Sequence, residues 1–436
     1  MKSKSAVHTR DSNPQFENAL KLMEGTHEHI FLTGCAGTGK STLINSFRSV
    51  THKNIAVLAP TGVAALNVRG QTIHSFFHFG IDITPEKIRR SSGKHNLIFK
   101  NLEALIIDEV SMVRADMLDC VDKALRVNRD NSSPFGGVQM IFVGDLYQLP
   151  PVVTEEESAI FNGHYASAYF FDARVMRDLD FKVIELMTVY RQRDADFIKL
   201  LNAVRTGAVN DEVLEAINSR CAGDAEATDD AENFSVTLTT RTHLAEKVNL
   251  RKLALLPSKT IFCDADVSGD FKEKTMPTQT TLQLKAGAQI MLLNNDPRKR
   301  WVNGTLGKIV KIEKASASKL VQVQLQDGAL VDIGRHTWEM TQYYFNEKAG
   351  KIDSRSTGSF TQYPLKLAWA VTIHKAQGKT FDNVAIDIGT GAFAHGQIYV
   401  ALSRSTTLEG ITLRQPILAE HIFADRRIDD FLSSHR

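Results

Sequence analysis

An apolar run, His29-Ile30-Phe31-Leu32-Thr33, empties into Gly34-Cys35-Ala36-Gly37-Thr38-Gly39-Lys40-Ser41-Thr42. The run reads as a strand, the glycines as a turn, and Lys40, Ser41 and Thr42 as the opening of a helix. The spacing is G-x-x-x-x-G-K-[ST]. Its glycines let successive backbone N–H groups converge on an anion, and the helix N-terminus adds partial positive charge. Lys40 can reach the β- and γ-phosphates and Ser41 can hold Mg²⁺. The segment points to a nucleoside triphosphate as fuel, against the plainer alternative of an ordinary glycine-rich strand–helix turn. What that fuel drives is not written in the loop.

With 436 residues there is room for about two to four domains. No apolar run of about eighteen residues exists, so no membrane span is expected. The start, Met1–Arg10, is basic and lacks an apolar centre, unlike a secretory signal. Cys35, Cys120, Cys221 and Cys263 are far apart and form no metal-ligand or C-x-x-C pattern, which fits a reducing compartment. Fifty-two basic residues against 50 acidic ones leave a net charge of +2. A nucleic-acid partner would therefore need positive potential gathered locally.

The first 190 residues alternate strand-like and helix-like stretches. Short β-branched runs at His29–Gly34, Asn54–Pro60, Ala104–Val110, Val138–Asp145 and Phe181–Leu186 read as buried parallel strands. Helices between them make a doubly wound α/β domain. The pattern lapses over His78–Lys100, read as a small inserted subdomain or loop rather than core. A second α/β block follows residue 190, with strands at Ser235–Thr240, Asn383–Ile388 and Gly410–Leu413. It is interrupted by Leu282–Phe360, where Gln289–Leu293, Thr305–Ile312, Leu320–Gln326 and Leu330–Ile333 read as short strands of an inserted β-barrel. The Asn303-Gly304 and Asp327-Gly328 turns separate them. The acidic stretch Ala222–Asn233 reads as an exposed loop.

Several residues carry chemistry. Asp108-Glu109 ends the run Leu105-Ile106-Ile107. There Asp108 suits a second magnesium contact and Glu109 a general base for the attacking water. Gln148, in Gly144-Asp145-Leu146-Tyr147-Gln148-Leu149-Pro150-Pro151, can hydrogen-bond a γ-phosphate or its water; a Pro-terminated surface turn is an equal alternative. Arg191 and Arg404 are either surface residues or arginine fingers reaching a nucleotide between two domains. Gln15 offers the donor–acceptor pair that an adenine edge needs, although by itself it reads first as a solvent-exposed glutamine.

Together these segments resemble the superfamily-one DNA helicases, and most closely the petite-integration-frequency branch, related to RecD and the phage helicase Dda. Distinctive pieces are Ala59–Ala65 with Gln71–Phe77, Leu105–Met112, Phe135-Gly136-Gly137 before Gly144–Pro151, Val371–Thr380 and Gln397–Arg404. Arg114–Phe135 resembles that branch's signature helix. The resemblance implies two tandem RecA-like P-loop domains, with a small wedge insertion in the first and an SH3-like β-barrel insertion in the second. The implied division is 1–188 with the wedge at 78–100, then 189–281, the barrel at 282–360, and 361–436. It implies ATP and Mg²⁺ as cofactors. Gln15 would read adenine, Gly34–Thr42 would hold the phosphates, and Ser41 and Asp108 the metal. Glu109 would activate water, Gln148 would couple the γ-phosphate to DNA, Arg191 and Arg404 would be fingers, and Gly378 would lie near the nucleotide.

Thr61, His74, Ser75 and Phe76 would line single-stranded DNA on the first domain, and Thr240, Thr372, His374 and Lys375 on the second. Hydroxyls and lysine suit phosphates, and an aromatic ring suits base stacking; Phe76-Phe77 also reads as a core pair. Arg298-Lys299-Arg300-Trp301 is either a further contact or a solvated turn. The implied activity is a 5′-to-3′ DNA helicase, monomeric, acting on single-stranded DNA and on forked or tailed duplex. The implied setting is cytoplasmic and nucleoid-associated, in a bacterium or phage-infected cell. A DNA-stimulated ATPase without unwinding and an RNA helicase are the alternatives.

Overall fold

The computed structural model describes residues 13–80, 82–153, 161, 163–221, 234–271, 275–314, 319–389, 391–392 and 394–435. The expected basic start and the acidic loop at 222–233 lie outside them. Two parallel sheets form the frame. The first runs Gln71–Thr72, Ile55–Ala59, Ala104–Ile107, Gln139–Val143, His29–Gly34, Phe181–Leu186, every neighbouring pair parallel. Both faces are covered, which is why its strands are near-continuous apolar runs. Ile30 and Leu32 pack on one face with Leu43, Ile44 and Phe47 of the helix Lys40–Val50. Phe31, between them in sequence, packs on the other with Phe142 and Phe170.

The second sheet runs Ala370–Thr372, Ser235–Thr239, Asn383–Asp387, Ile411–Leu413, again parallel throughout. Val236, Leu238, Val384, Ile386 and Ile411 share its core with Tyr399 and Val400.

Between its strands lies a five-stranded antiparallel sheet, Leu330–Ile333, Lys319–Leu325, Leu306–Lys314, Gln289–Leu292, Leu365–Leu367. It has its own core, centred on Ile290, Leu292, Ile309, Val321 and Val323. The sheet extends past the expected limit at Phe360, because Leu365 pairs with Leu292 and Leu367 with Ile290.

Three further differences from the sequence reading bear on the site. First, His336–Asn346 and Lys351–Gln362 form a long hairpin, joined by Asp266–Gly269 in a separate three-stranded sheet. It reaches the first domain. Tyr343 is buried in that domain's core, the Val57 N–H donates to Tyr343 Oη at 3.1 Å, and the Ile352 N–H donates to Asn54 Oδ1 at 3.0 Å.

Second, the stretch after His78 is partly core. Ile88, Ile98 and Phe99 are buried, the last two on the helix Lys94–Asn101. Phe76 is 1% exposed and packs edge-on against Phe77, Phe99 and Tyr343, so its ring is not free to stack on a base. Third, the helix Arg426–Ser434, expected within the second domain, returns to the first. Its Ile428, Phe431 and Leu432 join a core with Phe31, Phe170 and Phe181.

Candidate active site

The loop between His29–Gly34 and Lys40–Val50 takes the geometry its glycines allow. Gly37 and Gly39 have φ of 86° and 89°, conformations that side-chain-bearing residues avoid. At Gly37 a Cβ would also lie 2.5 Å from Arg191 Cβ, so the glycine admits Arg191 against the loop. Lys40 Nζ donates to the carbonyls of Gly34 at 2.6 Å and Cys35 at 3.1 Å, and Thr38 Oγ1 donates to Cys35 O at 2.9 Å. Ser41 and Thr42 are exposed on the first turn of the helix.

Asp108 and Glu109 follow Ala104–Ile107, two strands from the loop. Glu109 has φ of 51°, a left-handed conformation that is strained for a non-glycine residue and turns the chain sharply at the strand end. Its N–H donates to Asp108 Oδ1 at 3.0 Å. Burial and then the Glu109 charge push Asp108 up to about 7. Burial raises Glu109 too, opposed by Lys40 and Arg404. A carboxylate lifted toward neutrality suits a general base.

Two crowded buried acids gain most from a divalent cation, and Ser41 offers a hydroxyl at the helix start. Among the described residues no group of three metal-ligating side chains occurs. Ser41 and Asp108 would be the side-chain ligands of an ion that takes its others from phosphate and water, as Mg²⁺ does. Bound there, it would offset the charge of the β- and γ-phosphates.

The second domain closes on the same place. The Gln377 amide donates to Glu109 Oε2 and to Gln148 Oε1, both at 3.1 Å. Gln148 donates to Asp145 Oδ2 at 3.2 Å. Tyr399 accepts from the Ala36 N–H at 2.9 Å and donates to Asp145 Oδ2 at 3.2 Å. Arg205 pairs with Asp145 at 3.0 Å, and its guanidinium lies 4.4 Å from the Tyr147 ring centroid. Burial alone would raise Asp145, but Arg205 and Lys40 hold it below the usual carboxylate range. Gly396 brings the backbones together, since a Cβ there would stand 2.4 Å from the carbonyls of Tyr147 and Gln148.

Arg191 Nη1 donates to Ser403 O at 3.2 Å. Arg404 is 1% exposed and donates to Val400 O at 2.8 Å, Lys379 O at 3.1 Å and Ser403 Oγ at 2.7 Å. Burial and then Arg191 bring Arg404 down to about 9, with Glu109 attracting both guanidiniums. Gly378, at φ 77°, sits in the turn whose flanking carbonyls, Ala376 and Lys379, Arg404 caps. Lys40 and Arg404 thus share one electrostatic site through Glu109 and Asp145. Gln15 Oε1 accepts from the Met187 N–H at 3.0 Å, and Asn13 Nδ2 donates to Tyr190 Oη at 3.1 Å. The Tyr190 N–H donates to Gly37 O at 2.9 Å, and its ring borders Gly39.

The residues assigned to a polynucleotide lie beyond the C-terminal ends of parallel strands, where doubly wound sheets place ligands. Thr61 caps the helix Gly62–Asn67, with its Oγ1 accepting from the Ala64 N–H at 3.2 Å. Thr72-Ile73-His74-Ser75 and Thr372-Ile373-His374-Lys375 are built alike, each threonine capping a short helix with ψ of 150°. His74, Ser75 and Lys375 are exposed, His374 is half-buried, and Thr240 and Thr372 are buried. In the first sheet the Ile55 and Gln71 strands stand at one side and the loop strand toward the other. Asp108 and Gln148 follow the strands in between. The suggested Arg298–Trp301 patch is largely committed elsewhere. Arg300 pairs with Asp296 at 2.8 Å, and Trp301 is 7% exposed with Nε1 donating to Asn294.

Three family descriptions match in register with these parts: PIF1-like helicase over residues 14–215, the DNA helicase Pif1 2B domain over 271–312, and the UvrD-like helicase C-terminal domain over 367–410. The ATP-dependent DNA helicase Pif1 of Bdellovibrio bacteriovorus is 33% identical over 420 residues, 93% of this chain and 88% of its own length. The chain belongs to the PIF1-like helicase family. The PIF1 of Danio rerio is 36% identical over 88% of this chain, which spans 58% of that relative's length. The crystal structure of Bacteroides sp Pif1 with ADP-AlF4 superposes with a TM-score of 0.89 at 35% identity, covering 97% of this chain and 96% of that one. The crystal structure of Bacteroides Pif1 bound to single-stranded DNA gives a TM-score of 0.68 at 34% identity, covering 99% of this chain and 97% of that one. The two parallel sheets are thus the two RecA-like domains of this family.

Within that family frame, four residues stand out that sequence reasoning passed over: Gln377, Tyr399, Arg205 and Tyr190. Gln377 and Tyr399 lay inside quoted motifs, and Tyr190 adjoined Arg191. Only Arg205, on the plain amphipathic helix Ala195–Thr206, gave no local sign.

Proposed function

We propose that this chain is an ATP-dependent DNA helicase that translocates 5′ to 3′ on single-stranded DNA and separates tailed or forked duplex. The observation that carries the reading is the Gln377 amide, which ties the second domain to both Glu109 and Gln148 of the first. A γ-phosphate entering beside Glu109 would meet groups from both domains, so its hydrolysis changes how the two are held. Lys40, Arg191 and Arg404 bind and offset phosphate charge, Glu109 takes the proton from water, and Gln148 reports the outcome toward the strand. Gln15, with Tyr190 beside it, holds the base.

Thr61, His74 and Ser75 on one domain and Thr240, Thr372, His374 and Lys375 on the other grip phosphates alternately. The segment 78–100 acts as the wedge, and the SH3-like insert within 282–360 closes over the strand. The 1–188, 189–281 and 361–436 divisions serve as the moving bodies, and one copy suffices for movement. The cell interior near the nucleoid of a bacterium or infected cell is the matching setting. The lower likeness to the DNA-bound Bacteroides structure supports a rearrangement on strand binding.

The test is ATP turnover with and without single-stranded DNA, then strand displacement on duplexes tailed at either end. Displacement of the 5′-tailed substrate alone is expected, and Lys40→Ala should abolish turnover while preserving the melting temperature. Stimulated turnover without displacement on either substrate would demote the chain to a translocase or switch. Equal use of ribo- and deoxy-strands would reopen the RNA alternative.

A further inference from the structure

Three lysines meet where the inserted sheet joins the second domain, with no carboxylate of the described residues paired to them. Lys366 lies on Leu365–Leu367 opposite Met291. Its neighbours Leu365 and Leu367 belong to the insert's core, whereas Met291 is buried in the second domain's core. Strand alternation therefore turns Lys366 into the seam between them. Lys379 follows the helix Ile373–Ala376 and is 9% exposed. Its Nζ donates to Asn303 Oδ1 at 2.6 Å, in the insert's Asn303-Gly304 turn. Asn303 Nδ2 donates in turn to Asn67 Oδ1 at 3.4 Å, on the first-domain helix that Thr61 caps. Lys375 stands exposed on the Ile373–Ala376 helix.

The seam thus joins three parts of the molecule, and it gathers lysines that no carboxylate of the described residues pairs with. Burial, then Lys379 and Lys375, bring Lys366 down to about 7, and burial brings Lys379 to about 8. Buried lysines held this far below their usual range for want of a counter-ion are ones that an arriving anion would recharge and hold.

We propose that Lys366, Lys375 and Lys379 form a grip for successive phosphodiester groups of the single strand, beneath the Asn303-Gly304 turn. The proposal rests on the single-strand reading above and adds Lys366 and Lys379 to it. Three ammonium groups on separate elements match a run of phosphates better than one isolated anion. Lysine on phosphate also reads no sequence, as a translocating motor requires.

The test is oligo-dT binding by fluorescence anisotropy over a salt series, using the full chain and its Lys366→Met, Lys379→Met and doubly substituted forms. Each substitution should weaken binding and flatten the slope of log affinity against log salt by about 0.7, the value for one lost single-strand phosphate contact. Lys366→Met should also hold or raise the melting temperature, because a desolvated charge is gone, and Lys366→Arg should keep the native slope. A structural role would lower the melting temperature and spare the slope. A double variant with native slope and affinity overturns the grip. So does lysine-dependent stabilisation by inorganic phosphate with no effect on oligo-dT binding. Failure of the native chain to bind oligo-dT would instead bring down the single-strand reading itself.

Discussion

Tyr399 holds the phosphate loop from the opposite domain. Its hydroxyl accepts from the Ala36 N–H and donates to Asp145, at a position 3% exposed. Tyr399→Phe orphans a buried loop amide, a loss of about 1–3 kcal/mol. A lowered melting temperature and a raised KM for ATP are expected, and a calorimetric scan with steady-state kinetics checks both. Asp145 depends on Arg205 more severely. Its side chain is 0% exposed and Arg205's is 8%. Arg205→Met leaves a buried carboxylate unpaired, so a loss of about 3–5 kcal/mol in urea unfolding is expected.

The contrast between these residues shows what was legible. Lys40, Asp108, Glu109 and Gln148 could be read because each stands at a fixed offset from a strand end, where the backbone itself fixes its position. Arg205 could not. Its role comes from which helix face meets Asp145, 60 residues earlier in the chain, and no local spacing encodes that.

Among the elements, the segment after Phe77 departs furthest from its reading. Its polar, glycine-punctuated sequence suggested a small inserted subdomain or loop rather than core, but Ile88, Ile98 and Phe99 anchor it to the first domain's core, a burial that composition does not reveal. His95 belongs to this element. Its ring stacks on His78 at 4.2 Å, and Nε2 lies 3.0 Å from Phe76 O. Burial and then the His78 ring bring His95 down to about 4. The neutral ring is the form that the fold favours, so this contribution is complete above pH 6.5. It is lost as pH falls from 6.5 toward 4. Allowing for partial exposure, the loss is about 1–2 kcal/mol. His95→Gln should flatten that part of the stability profile, read from melting temperatures across pH 4–7. The hairpin 336–362 was missed for a related reason. It carries polar residues on both faces over most of its length and has no Asn-Gly or Asp-Gly turn between its strands, so neither apolar alternation nor turn chemistry marks it.

At the scale of the whole molecule, two elements encoded late in the chain are fastened to the first domain. The hairpin is held by the Val57–Tyr343 hydrogen bond and by Tyr343 N–H donating to Gln71 Oε1 at 3.2 Å. Tyr343→Phe removes the acceptor for Val57 and loosens the hairpin. If strand binding requires its release, association with oligo-dT should quicken several-fold, measured by stopped-flow anisotropy. An unchanged rate would mean that the hairpin stays docked when DNA enters. The two RecA-like sheets themselves were readable from their apolar runs, because parallel strands buried on both faces leave little choice of sequence. Which later segments cross back to the first sheet was not readable, since a crossing depends on long-range shape alone.

The helix Arg426–Ser434 has a consequence for how the protein is made. Phe431 stacks on Phe171 at 4.5 Å and lies beside Phe31 and Phe170 in the first domain. That aromatic cluster stays uncovered on the ribosome until Arg426–Ser434 emerges, long after the phosphate loop has been synthesised. A nascent chain stalled before residue 426 would therefore display a sticky surface on an otherwise folded lobe, a natural target for chaperones and a ready cause of aggregation in truncated products.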